Sequence, residues 1–560
     1  MSSIKNIKHF NNISRIITQD KAQGASQAML YALKLENNDL NKGQIGIGSN
    51  WYESNPCNNH LNHLSKFVKK SIDKNYNLIG FRFNTIGVSD GISMGTNGMK
   101  YSLPSREIIA DSYETIVEAH SYDGNISIPG CDKNIPGCMM GMIRINRPSF
   151  MIYGGSIKPG KFNDKEIDVV DAFQSYGNYL KDNDETKRLN IIKNACPGSG
   201  SCGGMYTANT MASAFEAMGM TLPGSASNPA LSEEKFNECR QSGDIMENLI
   251  LNDLKPLDII NRESIENAIT IVIALGGSTN AVLHLLAIAR TANINLNLED
   301  FNKKVPVISN LKPSGEYLMY HLHKIGGVPL VIKVLIDNGL MNKNCLTING
   351  NTLWENVKDI TYDKNQIDHI IKFSYEKKNH IRILRGNLAP NGSVAKISGN
   401  EGEFFKGISR VFESEDEFMN YLKTNRVYQE IEQYKNLVFV IRNQGPKGGP
   451  GMPEMLKPTS AIIGMGIKDN VAFITDGRFS GGSHGFIIGH VSPEAYDNGP
   501  ISKVSDGDII TIDTFNNTID WQGTNTNKNY TLQYTNNVKN NLLKKFRRSV
   551  QGAENGCITI

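Results

Sequence analysis

Asn125-Ile126-Ser127-Ile128-Pro129-Gly130-Cys131-Asp132-Lys133 runs from a short β-prone segment, through Pro-Gly, to a thiol, a carboxylate and an amine in succession. Asn125–Pro129 reads as a buried strand, and Gly130 opens a turn that holds the next side chains at fixed angles. Leu78–Phe83 and Ser149–Tyr153 read the same way, each ending in Gly or a polar turn. Ser105–His120 and Thr207–Met218 carry helical spacing, the second directly after a Gly-rich turn. Strand followed by helix, repeated, predicts an α/β fold with a mainly parallel sheet. Functional loops are then expected at the carboxyl ends of the strands.

Two more cysteines share the setting of Cys131. Cys57 lies in Asn55-Pro56-Cys57-Asn58 and Cys202 in Ser201-Cys202-Gly203-Gly204, each roughly 70 residues from Cys131. That separation excludes a zinc finger, whose ligands are paired locally. The alternative is three buried apolar thiols, the usual fate of free cysteine. Thiolates gathered by the fold suit a soft metal, here an iron–sulfur cluster with one iron left open. Cys138, Cys239, Cys345 and Cys557 have less punctuated surroundings and read as buried thiols, whereas Cys196, in Ala195-Cys196-Pro197-Gly198, could compete as a ligand.

The composition sets bounds. A chain of 560 residues predicts two or more domains. A net charge of +3 gives no reason to expect nucleic acid or an anionic membrane as partner. Eight cysteines are too few for a disulfide scaffold and read as reduced thiols, so the expected compartment is cytoplasmic, with an organelle stroma or matrix as the alternative. The polar stretch Met1–Asn12 lacks the apolar core of a secretory signal. The best candidate for a membrane span, Ile269–Ala289, is interrupted by Gly276-Gly277-Ser278-Thr279-Asn280, and reads instead as a buried strand, loop and helix. Beyond Ile381 the texture becomes β-rich, in Leu437–Arg442, Val471–Thr475 and Asp508–Thr514, with Asn516-Asn517 turning into Thr518–Trp521. The division expected is an α/β domain at 1–365, a linker at 366–384 and a β-rich, barrel-like domain at 385–560.

Asp90 (in Gly87-Val88-Ser89-Asp90-Gly91), Asp132 and Glu454 (in Gly451-Met452-Pro453-Glu454) are acids in Gly/Pro loops. Singly each reads as a solvated turn acid. Together they would offer hard oxygens to Mg²⁺. Gly445–Gly451 is a glycine-dense loop able to bring amides to an anion. Gly276–Asn280 opens a helix and reads as a carboxylate site or a plain cap. Gly155–Lys161 resembles a phosphate loop but continues into Phe162 where Ser or Thr is needed. Gly481–Gly485 matches G-x-S-x-G, which makes a serine hydrolase with Ser483 the rival class. The elbow's strand–turn–helix context is missing, because Phe486–Val491 looks like a strand.

Longer strings carry a resemblance. Phe83–Gly95, Gly130–Gly137, Cys196–Met211, Leu222–Ala230, Gly445–Met455 and Ile474–Gly482 resemble the dihydroxy-acid, phosphogluconate and sugar-acid dehydratase family, nearly end to end. The resemblance implies iron–sulfur ligands at Cys57, Cys131 and Cys202. It implies Mg²⁺ ligands at Asp90, Asp132, Glu454 and a carbamylated Lys133, and Ser480, not Ser483, as proton acceptor. A serine base must be held as an alkoxide by positive charge, for which the cluster, Mg²⁺, Arg478 and Lys447 are the candidates. Asn125–Gly137 and Gly80–Gly95 look like the plant and fungal branch, which favours a 2Fe–2S over a 4Fe–4S cluster. The implied reaction converts 2,3-dihydroxy-3-methylbutanoate and 2,3-dihydroxy-3-methylpentanoate to 2-oxo acids for valine and isoleucine synthesis, the alternative being an aldonate dehydratase. The implied assembly is a homodimer or dimer of dimers, with the active site between the two domains. Asn443-Gln444 departs from the family, many members having Tyr-Glu there.

Overall fold

Strands β1 (Gly43–Ser49), β2 (Leu78–Asn84), β3 (Gly124–Ile128) and β4 (Ser149–Met151) form an N-terminal sheet in the order β2-β1-β3-β4, every neighbouring pair parallel. The computed structural model describes residues 9–372, 379–397, 402–424, 426–483, 485–523 and 538–559. Strands β1 and β3 are buried along their whole length, as parallel strands covered on both faces must be. Strand β1 is not legible in Gly-Gln-Ile-Gly-Ile-Gly-Ser, because its glycines make way for rings. A Cβ on Gly48 would lie 2.5 Å from Tyr113. Helices Leu61–Lys74, Ser102–Ala119, Asn134–Ile145 and Thr207–Ala217 surround the sheet, and Leu64, Met139, Met211 and Leu285 are among the wholly buried side chains of the main core.

Ile269–Ala289 corrects the expectation of a strand. Helix Arg262–Ala274 ends at a loop, and helix Asn280–Thr291 follows. The β-branched run Ile269–Ile273 is buried on every side, so its apolar residues show no amphipathic period. The decisive signal is upstream, where Asn261 and Ser264 cap each other reciprocally. Among the described residues no helix is long and apolar enough to cross a membrane.

The C-terminal region is a mixed sheet of eight strands. Their order is Thr518–Gln522, Ile509–Asp513, Phe404–Phe412, Leu437–Ile441, Val471–Thr475, Phe486–Ser492, Gly392–Lys396, Ile381–Leu384. The middle four are parallel and the outer pairs antiparallel. The two edges nearly meet: Arg385 N–H donates to the Asn517 carbonyl (3.0 Å) and Ile519 N–H to the Arg385 carbonyl (2.9 Å). The barrel-like, β-rich expectation is met, and near closure leaves little free edge. Ile381–Leu384 is a strand, although it falls inside the stretch read as linker, and residues 373–378 of that stretch lie outside the described residues. The two regions dock where helix Val169–Asp182 crosses helix Lys457–Met465. Glycines meet there, and a Cβ on Gly177 would sit 3.0 Å from the Gly464 Cα.

Candidate active site

The end of β3 carries the first thiol. Cys131 N–H donates to Asn134 Oδ1 (2.9 Å), which also accepts from Asn58 Nδ2 (2.9 Å). Asn58 Nδ2 reaches the Asn50 carbonyl (2.6 Å), and Asn55 Nδ2 reaches Asn58 Oδ1 (2.8 Å) while Asn55 Oδ1 accepts from Cys57 N–H (3.2 Å). These buried amides lock the Cys57 turn to the Cys131 turn. Only glycine fits at 130, where a Cβ would lie 2.1 Å from the Cys57 carbonyl oxygen. On the third turn, Asn209 Nδ2 donates to the carbonyls of Cys202 and Gly204, both at 2.6 Å. Ser201 Oγ donates to the Gly130 carbonyl, and Gly200 N–H to that of Pro56 (2.9 Å), so the three turns form one unit. The three thiols are close enough to perturb titration, Cys57 acting on Cys131 and both Cys131 and Cys202 on Cys57. Cys57 holds the Cys131 thiol below its ordinary pKa, while its own is pushed well up by those two neighbours and by burial. Cys196 lies on the rim of the same cavity, its thiol pushed up to about 11 by burial and by the Cys202 charge.

Beside the thiols stand three carboxylates. Asp90, Asp132 and Glu454 each place an oxygen within 4.8 Å of the others. Lys133 Nζ, fully buried, lies 2.5 Å from Asp90 Oδ2, 3.0 Å from Glu454 Oε2 and 3.9 Å from Asp132 Oδ2. Asp90 opens the helical turn Asp90–Ser93, and Ser102 Oγ donates to its Oδ1 (2.7 Å). Glu454 comes from the barrel region on a two-residue parallel ribbon, Glu454–Met455 beside Arg478–Phe479. Its Oε2 accepts from Asn280 Nδ2 (2.9 Å) and Arg478 Nη1 (2.9 Å). Burial, and then the neighbouring Asp90, push the Asp132 carboxyl well above its usual range. Crowding three acids in the interior is costly unless a cation compensates them, and this donor set suits a hard divalent ion. The three neighbouring thiols suit a soft one.

Ser480 follows the ribbon, with its N–H on the Met455 carbonyl (2.9 Å), and lines the cavity. Phe479 between Arg478 and Ser480 is buried in the barrel core. Ser483 is buried, receives a hydrogen bond from Thr459 Oγ1 (3.0 Å) and is followed by a strand, so the elbow geometry of a hydrolase is absent there. Its neighbour His484 lies outside the described residues. Lys447 is not beside Ser480. It pairs with Asp497 at 2.7 Å towards the surface. The glycine-dense loop does aim its amides at an acid, but the protein's own, since Lys447 and Gly448 N–H donate to the Glu494 carboxyl at 2.9 and 2.7 Å. A carboxylate does stand at the start of the helix opened by Gly276–Asn280. It is Glu454, held by the Asn280 side chain. Gly160–Phe162 pairs with Lys165–Ile167 as a hairpin, not a phosphate loop.

Cys57, Cys131, Cys202, Asp90, Asp132, Glu454 and Ser480 all line one cavity of about 210 Å³, and buried Lys133 pairs with Asp90 and Glu454. Ile157, Val170, Phe173 and Leu456 add apolar side chains to the cavity lining. Sequence reasoning missed the asparagines that fix the turns. Their signal, Asn within Gly/Pro turns, was hidden in a chain rich in Asn throughout.

A family model described as dihydroxy-acid/6-phosphogluconate dehydratase N-terminal matches residues 42–356, and its C-terminal counterpart matches 367–557. The chain is 53% identical to a dihydroxy-acid dehydratase of Francisella tularensis subsp. tularensis, covering 99% of each. It is 50% identical to the chloroplastic dihydroxy-acid dehydratase of Arabidopsis thaliana, over 99% of this chain and 92% of that one. It is 52% identical to the mitochondrial enzyme of that name in Aspergillus fumigatus, over 98% and 93%. Matches of this extent, on a chain whose cavity gathers thiols, acids and a serine from distant segments, leave one placement: the protein belongs to the dihydroxy-acid/6-phosphogluconate dehydratase family.

Proposed function

We propose that the protein is a hydro-lyase that converts 2,3-dihydroxy-3-methylbutanoate and 2,3-dihydroxy-3-methylpentanoate to the corresponding 2-oxo acids, feeding valine and isoleucine synthesis. The observation that carries this reading is the meeting of three thiols, three carboxylates and Ser480 on one cavity. The names of the relatives support the substrate class. The apolar residues in the lining support a branched aliphatic chain over an aldonate, whose extra hydroxyls they could not pair.

Cys57, Cys131 and Cys202 would hold an iron–sulfur cluster, of the 2Fe–2S type, and Asp90, Asp132, Glu454 and a carbamylated Lys133 would hold Mg²⁺. Carbamylation turns the Lys133 cation into an anionic oxygen ligand, which suits a hard metal. When bound, the cluster supplies a Lewis acid for the departing 3-hydroxyl and Mg²⁺ charge stabilisation for the carboxylate and 2-hydroxyl. Ser480 Oγ takes the proton from C2. The C3–O bond breaks, the hydroxide leaves as water after taking a proton, and the enol gives up its 2-hydroxyl proton while gaining one at C3 to become the 2-oxo acid. A neutral serine is too weak a base, so Ser480 acts as an alkoxide favoured by nearby positive charge. Arg478, fully buried on the same ribbon, and Lys396, whose Nζ donates to the Gly481 carbonyl (2.9 Å), are cations of the chain near that turn.

The labour divides between an N-terminal unit bearing the thiols and a C-terminal unit, beginning at the strand Ile381–Leu384, that contributes Glu454 and Ser480. The working assembly is a homodimer or dimer of dimers in the cytoplasm. The test is anaerobic iron and sulfide counting with electron paramagnetic resonance, followed by parallel assays on dihydroxyisovalerate, gluconate and xylonate. A red-brown protein with highest kcat/KM on dihydroxyisovalerate is expected. Preference for gluconate or xylonate would move the protein to the sugar-acid branch, and turnover by iron-free protein would defeat the mechanism.

A further inference from the structure

The last residues of the described chain fold back onto the site's supports. Arg106, fully buried and one turn beyond Ser102, donates through Nη2 to the carbonyls of Gly556 (2.9 Å) and Cys557 (2.8 Å). Its neighbour Glu107 binds it through Oε1 (2.9 Å from Nε), and Glu107 Oε2 accepts from Thr559 Oγ1 (3.1 Å). The opposite side of the tail presses on helix Asn280–Thr291. Gly556 lies so close that a Cβ there would be 2.7 Å from the Ala287 amide nitrogen. Those two helices begin with Ser102 and Asn280, the residues that hold Asp90 and Glu454.

The tail also touches the Glu454 loop directly. Cys557 Sγ lies 3.6 Å from Met452 Sδ, and the Met452 carbonyl accepts from Arg478 Nε (2.9 Å), whose Nη1 binds Glu454. Met452 and Cys557 are buried non-glycine residues at positive φ, +46° and +53°. Such backbone is retained where surrounding structure over-determines it. We propose that the C-terminal segment Ala553–Thr559 is a positioning element for the carboxylate site, clamped by Arg106 and pinning Met452, Arg478 and Glu454 in register with Asp90. The proposal rests on the reading of Asp90 and Glu454 as ligands of a divalent cation. The three thiols stand on turns of the N-terminal region fixed by their own asparagines, so the tail acts on the oxygen site and not on the thiol site.

The experiment uses full-length protein with its cluster reconstituted, stripped of divalent metal and titrated with Mn²⁺ followed by electron paramagnetic resonance. Compared with it are a chain ending at Gly552, Arg106→Lys, and Glu454→Gln as control. Loss of outer partners of a metal site typically costs about 10–100-fold in affinity. The shortened chain is expected to bind Mn²⁺ at least about tenfold more weakly, with Arg106→Lys intermediate, while iron, sulfide and the cluster's absorption stay at wild-type levels. Wild-type Mn²⁺ affinity in both tail variants overturns the proposal, as does loss of iron and Mn²⁺ in parallel, which would mark general unfolding. Should the shortened chain fail to fold, Arg106→Lys decides by the same two readouts. Unchanged binding in Glu454→Gln would instead overturn the ligand assignment itself, and the tail's role with it.

Discussion

Gly130→Ala should empty the thiol site while sparing the carboxylate site. The added Cβ would stand 2.1 Å from the Cys57 carbonyl oxygen and 3.0 Å from its carbon, against ordinary contact from 3.4 Å. The two turns must therefore part by about 1 Å, and the obstacle is backbone that cannot rotate aside. Overpacking of this kind costs about 1–3 kcal/mol, a large fraction of a domain's stability but short of unfolding it. The displacement falls on the turn that carries Cys57, and its amides to Asn55 and Asn58 oppose relaxation elsewhere. A shift of that size exceeds the tolerance of about 0.2 Å on ligand distances. The assay is anaerobic reconstitution with iron and sulfide counting, alongside thermal melting and Mn²⁺ binding. Expected are a folded protein, iron reduced several-fold, and Mn²⁺ affinity near wild type. A variant that fills with iron to wild-type stoichiometry would show that the turns are not locked as argued.

Ser480→Ala should keep iron, sulfide and Mn²⁺ binding and lose turnover by orders of magnitude, measured as 2-oxo acid formed; near-normal activity removes Ser480 as the base. Lys133 should carry an added CO₂ in a crystal structure or by intact mass under bicarbonate, and an unmodified amine there would contradict its place among the metal ligands. Burial and the adjacent Asp476 raise the Glu494 carboxyl from its ordinary value of 4.5 to about 8. A raised carboxyl binds its proton more tightly in the folded state, so its contribution to stability is complete below pH 4.5 and is lost as pH rises towards 8. Melting curves should therefore show wild type losing ground to Glu494→Gln across that interval, and a pH-independent difference would refute the assignment.

Much of the architecture was legible because it rests on local signals. Leu78–Asn84, Ser149–Met151, Leu437–Ile441 and Val471–Thr475 are strands in short runs rich in apolar, aromatic or β-branched residues that end near turn residues. Where burial is complete the local signal fails. The end of helix Arg262–Ala274 looked like a strand for want of a polar face, and β1 carries no strand pattern because ring packing demands glycine. Ser480 and the role of Lys133 were legible only through the family resemblance. The thiols and acids were visible as reactive groups in rigid turns, yet Ser483 and Lys447 met the same description. Ser483 is buried against Thr459, and Lys447 faces Asp497.

The chain by itself specified the chemistry on offer: thiols, acids, a lysine and a serine in Gly/Pro turns, on a frame of strands and helices whose periods are written locally. Which of them meet was decided by the tertiary structure alone. A parallel sheet brings β1 and β3 side by side, and with them the Cys57 and Cys131 turns, while the docking of a nearly closed barrel carries Glu454 and Ser480 across to Asp90 and Lys133. The physical reason is range. Turn and strand preferences act over a few residues, whereas close packing and the compensation of buried charge join groups hundreds of residues apart.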